Sequence, residues 1–189
     1  MAETLLTHPE PYKPFVPLLS QSSNPEDPIP LLASAFLVGL LSRALNATSK
    51  PTTETESALS KLYSYLSTLA NSSDSGLQDI AVQQYSAVLK IRRSREIFWE
   101  QRQETVDPLI EILRSAAGVS SNGEGSSTLW SGAASIRAGS ELGLGGGVAL
   151  QLLYHVLLVI WQLSFEGGLV GAGLEEYDAA PSPFLKPAC

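Results

Sequence analysis

Apolar residues recur every three or four positions along most of this chain, in runs opened by helix-capping residues, and that periodicity dictates helices. Asp27 caps a run that opens on Pro28, where a missing N–H is harmless, and continues through Leu31, Leu32, Ala35, Phe36, Leu40, Leu41, Ala44 and Leu45. Leu37 and Val38 fill the face that a surface helix would leave polar, so this first helix is expected in the interior. Thr53 and Glu56 read as a capping box ahead of Leu59, Leu62, Leu66 and Leu69, with Tyr63 and Ala70 in support. Ser75 with Gln78 opens a third run over Leu77, Ile80, Ala81, Val88, Leu89 and Ile91. Ser94 to Gln103 reads as a short helix, and Asp107-Pro108 opens another through Leu109, Ile110, Leu113, Ala116 and Ala117 to a stop at Gly118. Val148 to Phe165 forms the last helix before Gly167-Gly168.

No segment alternates apolar and polar residues as a half-buried strand would, so the fold class is all-α. The helix starts near Pro28 and Gly76 lie about one HEAT or armadillo period apart, ~40 to 47 residues. Stacked helical pairs, an armadillo/HEAT-like solenoid, follow, because each pair completes its neighbour's core. A compact helical bundle is the rival topology. The chain divides into a Pro-rich N-terminal segment at 1–26, stacked helical repeats at 27–118 and a Ser/Gly-rich loop at 119–147. A buried apolar helix at 148–168 and an irregular tail at 169–189 complete it.

The chemical inventory is thin. The 189 residues include one cysteine, Cys189, and two histidines, His8 and His155, which leaves no disulfide framework and no multi-ligand metal site. Nineteen acidic against twelve basic residues give a net charge of -7, the wrong sign for nucleic acid. Residues 1–14 lack a basic stretch followed by an apolar run, so no secretory signal is expected, and the default compartment is the cytosol. The sequons at Asn46 and Asn71 then read as chance. Gly143, Gly145 and Gly147 precede a helix, but no strand leads into them and no Lys-Ser or Lys-Thr follows, so they read as loop rather than a phosphate cradle. Glu175, Glu176 and Asp178 read as a solvated acidic run, with no base beside them.

Leu142 to Phe165 contains no Asp, Glu, Lys or Arg and comes near the ~20 residues of a membrane-spanning helix. Two features argue against a span. Gln151, His155 and Gln162 share about 40° of arc on a helix, a polar stripe without use in lipid, and the flanking Glu141 and Glu166 are acidic. The expectation is a helix inside the protein, with these three side chains directed to one polar seam and His155 hydrogen-bonded to a neighbouring helix rather than to a metal.

Lys90, Arg92, Arg93 and Arg95 form the basic cluster of the chain, with Glu96, Trp99, Glu100 and Arg102 following at helical spacing. Pairs such as Arg92 with Glu96 make a solvated ridge, worth a few tenths of a kcal/mol each. The same ridge, through Arg92, Arg95, Trp99 and Arg102, is the candidate docking surface for an acidic partner helix, since Trp and Arg are enriched where binding energy concentrates.

Leu89 to Gly118, LKIRRSREIFWEQRQETVDPLIEILRSAAG, and Thr128 to Glu166, with TLWSG, SIRAG, LGLGGGV and LQLLYHVLLVIWQLSFE, resemble the regulatory H subunit of the vacuolar-type proton-translocating ATPase in its fungal form. The likeness is long rather than motif-based and takes in the Pro-rich HPEPYKPFVPLL and SNPEDPIPLL. It implies an α-solenoid in the peripheral sector of that ATPase, on the cytosolic face of the vacuolar or another acidic-organelle membrane. There it would bind the stator stalk helices, support ATP-driven proton transport and restrain hydrolysis when the sector detaches. It implies no catalytic residue, cofactor or metal in this chain, and no direct membrane insertion. After EEYD the sequence changes to AAPSPFLKPAC, where the family continues with further repeats, so contacts made by a second domain are expected to be missing. A generic armadillo adaptor would present the same helices, and a small single-span membrane protein would use the last one.

Overall fold

The structure is a computed structural model and describes residues 10–22, 24–47, 51–116 and 146–165. A 3-10 helix spans Lys13–Ser20, where Pro14 and Pro17 each lack the N–H that an α ladder requires. The α-helices follow as α1 (Pro28–Ala47), α2 (Thr53–Ala70), α3 (Ser75–Val88), α4 (Arg92–Glu100), the single turn α5 (Arg102–Thr105), α6 (Asp107–Ala116) and α7 (Gly146–Ser164). No strand occurs among the described residues, and the fold is all-α. The expected loop at 119–147 lies outside the described residues except at its end, where Gly146 and Gly147 belong to α7 rather than to a connector. The tail at 169–189, with Glu175, Glu176 and Asp178, lies outside them as well, as do His8 and Cys189.

The caps are local chemistry, and two of them sit one residue earlier than the sequence pattern suggests. Asp27 does open α1, its Oδ1 accepting from the Ile29 N–H at 2.9 Å. At α2 the cap is Thr52, which accepts from the Thr55 N–H at 3.2 Å, and Glu56 is released from capping to pair with Arg93. At α3 it is Asp74, accepting from the N–H groups of Gly76 and Leu77, while Gln78 donates back to the Ser72 carbonyl at 2.7 Å. In both cases the residue just before the pattern has the extended backbone that aims its oxygen at the open amides.

α3 holds the centre of the stack, with α1, α2 and α7 packed around it. Where α2, α3 and α4 meet, Tyr63, Tyr85 and Phe98 form a fully buried aromatic cluster, with Phe98 edge-on to Tyr63 at 5.3 Å and to Tyr85 at 5.0 Å. Both hydroxyls find carbonyls: Tyr63 donates to Ser94 at 2.9 Å and Tyr85 to Tyr63 at 3.2 Å. The tight corner between α3 and α4 is closed by Ser94 Oγ, which bonds the carbonyls of Val88 and Ile91 at 2.6 Å each.

Two burial expectations need correction. α1 is not an inner helix: Pro30, Ala33, Leu37, Leu41 and Leu45 face the core, while Ile29, Leu32 and Phe36 lie exposed on the opposite side. Among its described side chains α7 buries Leu152, Val156, Val159, Gln162 and Leu163, and Leu157 stands out in the open. Both helices are edges of the described stack, and an edge helix has neighbours on one side only. On length and composition it is α1, not α7, that among the described residues could cross a membrane, although its Leu37, Leu41 and Leu45 are in the core.

Candidate partner-binding surfaces

Three places on this scaffold gather polar or charged groups. The first is the seam between α3 and α7. Asp79, buried on α3, receives Gln151 Nε2 at 3.2 Å and Gln83 Nε2 at 2.8 Å on one oxygen, and His155 Nδ1 at 2.7 Å on the other. Two turns further along both helices, Gln162 Nε2 donates to the Ser86 carbonyl at 3.1 Å. The polar stripe of Gln151, His155 and Gln162 therefore does face one neighbouring helix. Its bonds advance together along α3 and α7, so the two helices run side by side in the same direction, as equivalent helices of successive stacked pairs do. Chemically the seam is a lock that satisfies a buried carboxylate. Its missing half in the sequence pattern was Asp79, whose flanking Leu77, Ile80 and Ala81 made α3 read as apolar on that side.

The second place is the basic ridge on α4. Arg92 is exposed and stands 3.7 Å from Glu96, the pairing that its spacing suggested. Arg93 has Nη2 2.7 Å from Glu56 Oε1 and Nη1 on Glu96, so that it clamps α4 to α2; those two carboxylates hold its pKa above the usual arginine value. Arg95 turns back, Nη1 donating to the Leu89 carbonyl at 2.8 Å and to that of Lys90 at 3.2 Å, and so caps the C-terminal end of α3. Trp99 and Arg102 are half-buried, one near the end of α4 and the other opening α5. The four residues of the candidate surface thus come from one helix and the turn after it, but Arg95 already serves the fold.

The third place escaped the sequence pattern. The 3-10 helix lies along the polar face of α2 and encloses a groove of about 1310 Å³, lined by Tyr12, Lys13, Leu19, Lys61, Tyr65 and Thr68 among others. At its floor Tyr12 Oη lies 2.8 Å from Thr55 Oγ1, both residues buried. At its rim Lys13 is bridged to Glu10 and Glu54 at 2.5 Å each; hydrogen bonds from Lys13 hold the Glu10 carboxyl below its ordinary value. The Tyr65 hydroxyl is buried without a partner among the described residues, and desolvation, with Asp27 adding a smaller push, raises it to about 12. A Pro-rich stretch and the outer face of a helix carry no mutual signal in sequence, so the groove exists only once the two meet. Among the described residues no group of three or more His, Cys, Asp or Glu stands where it could hold a metal ion.

Comparison with known proteins adds one finding. The family model for the H subunit of the V-ATPase matches residues 2–181. No curated protein and no solved structure matches the chain. The matched span takes in the Pro-rich opening, every helix described above and the ridge, seam and groove together. The match covers nearly the whole chain and agrees with its all-α architecture, and on that ground this protein belongs to the H-subunit family of the V-ATPase.

Proposed function

We propose that this chain is the regulatory, stator-binding component of the peripheral sector of a V-ATPase, supporting ATP-driven proton transport without supplying catalytic residues or a cofactor of its own. The observation that carries this reading is the family match over residues 2–181. In it the protein works on the cytosolic face of the vacuolar or another acidic-organelle membrane, docked on protein helices rather than inserted in the bilayer. The ridge of Arg92, Arg95, Trp99 and Arg102 is the surface we assign to the stator stalk helices. Arg92 is exposed, and Trp99 supplies a half-buried aromatic two turns further along the same helix, the combination of a steering charge with an anchoring ring.

A pull-down of V-ATPase stalk proteins with the full chain tests the reading. The unmodified protein retains them. Because Arg95 caps α3, the informative variant reverses Arg92 and Arg102 to Glu instead, which is expected to slow association and weaken its salt dependence while leaving helicity intact. Full stalk binding by this double variant would reduce the ridge to a solvated face. Failure of the unmodified chain to capture any component of the ATPase would remove the stator role itself.

A further inference from the structure

We propose that Lys90 is the side chain of the basic ridge that meets a carboxylate of the acidic partner helix, an inference that rests on the ridge reading above. The basic cluster holds Lys90, Arg92, Arg93 and Arg95, and the fold has already engaged its three arginines. Arg93 is held by Glu56 and Glu96, and Arg92 stands 3.7 Å from Glu96. Arg95 Nη1 donates to the carbonyls of Leu89 and Lys90 at 2.8 and 3.2 Å. Lys90 is exposed, and its ammonium has no hydrogen bond or ion pair among the described residues. A paired cation must give up one carboxylate to take another, an exchange with little net gain at a solvated surface. Lys90 has no such exchange to make.

The backbone that carries Lys90 is fixed. It lies in the corner between α3 and α4, where the Ile91 N–H donates to the Val88 carbonyl at 3.1 Å and Ser94 Oγ bonds the carbonyls of Val88 and Ile91 at 2.6 Å each. Arg95 closes the corner over the carbonyls of Leu89 and Lys90, and Leu89 is fully buried. A cation on a fixed backbone gives up only side-chain freedom when it binds. From this corner α4 runs through Arg92 to Trp99, about 10 Å further along the axis and within about 20° of the same face. A partner helix laid along that line sets its apolar contact on Trp99 and its acidic turn at the corner. The net charge of -7 disfavours such a helix over the surface as a whole, so a local unpaired cation selects where it lands.

Association kinetics of the full chain with V-ATPase stalk proteins, read over a range of salt concentrations, test the proposal. Lys90→Glu is expected to slow association about 10-fold at low salt, the difference shrinking as salt rises, while Lys90→Arg keeps the rate within about 2-fold. Lys61→Glu is the control: Lys61 is likewise exposed and unpaired among the described residues, but it lines the groove on α2. It removes the same charge and should alter the rate by about 2-fold or less. Helical circular dichroism and melting temperature should stay unchanged in all three variants. Equal slowing by Lys90→Glu and Lys61→Glu overturns the proposal, by reducing the effect to net charge, as does a Lys90→Arg variant as slow as Lys90→Glu. If reversal of Arg92 and Arg102 abolishes binding and Lys90→Glu leaves it intact, the ridge stands and the assignment of Lys90 falls. Stalk binding that survives both sets of changes removes the ridge as well.

Discussion

α3 and α7 lie side by side, and their burial runs opposite to their composition. α7 is the richer in large apolar side chains, yet leaves Leu150, Tyr154, Leu157 and Trp161 bare. α3 is more mixed, yet buries Asp79 and Ser86 along with Leu77, Val82, Tyr85 and Val88. Hydrophobicity of a helix therefore does not rank its burial here; place in the stack does. α3 has helices on three sides, which cover even its carboxylate and force that group to find donors. α7 has α3 and α6 on one side and solvent on the other.

Adjacent residues on α7 give the sharpest test of this contrast. Val156 is fully buried and Leu157 is about half exposed, one step apart on the same helix. Val156→Arg places an unpaired charge in the core and should lower stability by about 4 kcal/mol or prevent folding. Leu157→Arg should change it by no more than about 0.5 kcal/mol and raise solubility. Chemical denaturation of the two variants checks both, and equal losses would break the edge assignment of α7.

The seam between the helices comes next in size. Asp79→Ala strands the donors of His155, Gln151 and Gln83 and should cost about 2 to 3 kcal/mol, read from the shift of the denaturation midpoint. Asp79→Asn keeps an acceptor oxygen and should recover part of the loss. An unchanged midpoint in the Ala variant would mean that apolar packing alone holds α7 on α3.

The smallest effect concerns the phenols of α2 and α3, where burial raises Tyr63 and Tyr85 well above the ordinary value and Tyr65, in the groove, reaches about 12. A phenol whose folded pKa exceeds its unfolded value near 10 contributes stability that is complete below about pH 10 and is lost as pH rises through the folded value. The protein should accordingly hold its stability up to about pH 10 and lose it progressively above. Tyr63→Phe should weaken it at neutral pH by about 1 kcal/mol, by removing the bond to the Ser94 carbonyl, but blunt the alkaline loss. Thermal melts from pH 8 to about 12 follow both. A wild-type curve flat across that range would contradict the burial of the cluster.

Much of this was legible from one dimension. The helices, the polar stripe of α7 and the Arg92 to Glu96 pairing depend on spacings of three and four residues, which a helix converts directly into a shared face. Caps were legible to within one residue, because several neighbouring Ser, Thr and Asp side chains can all cap and only backbone geometry selects among them. The short helix expected at Ser94 to Gln103 forms instead as α4 and α5, set by the corner at Leu89 to Ile91 where Ser94 and Arg95 answer the carbonyls leaving α3.

Sequence by itself determined that this chain is helical, where its helices run, and which side chains of α7 would turn together toward a polar partner. Tertiary structure alone decided that Asp79 is that partner, that Arg93 clamps α4 to α2, that the 3-10 helix and α2 enclose a groove, and which face of α1 and α7 is bare. The reason is range. Periodicity is a property of neighbours within a turn or two, whereas burial and pairing depend on what lies across the stack, 37 residues away for Arg93 and Glu56 and 76 for His155 and Asp79.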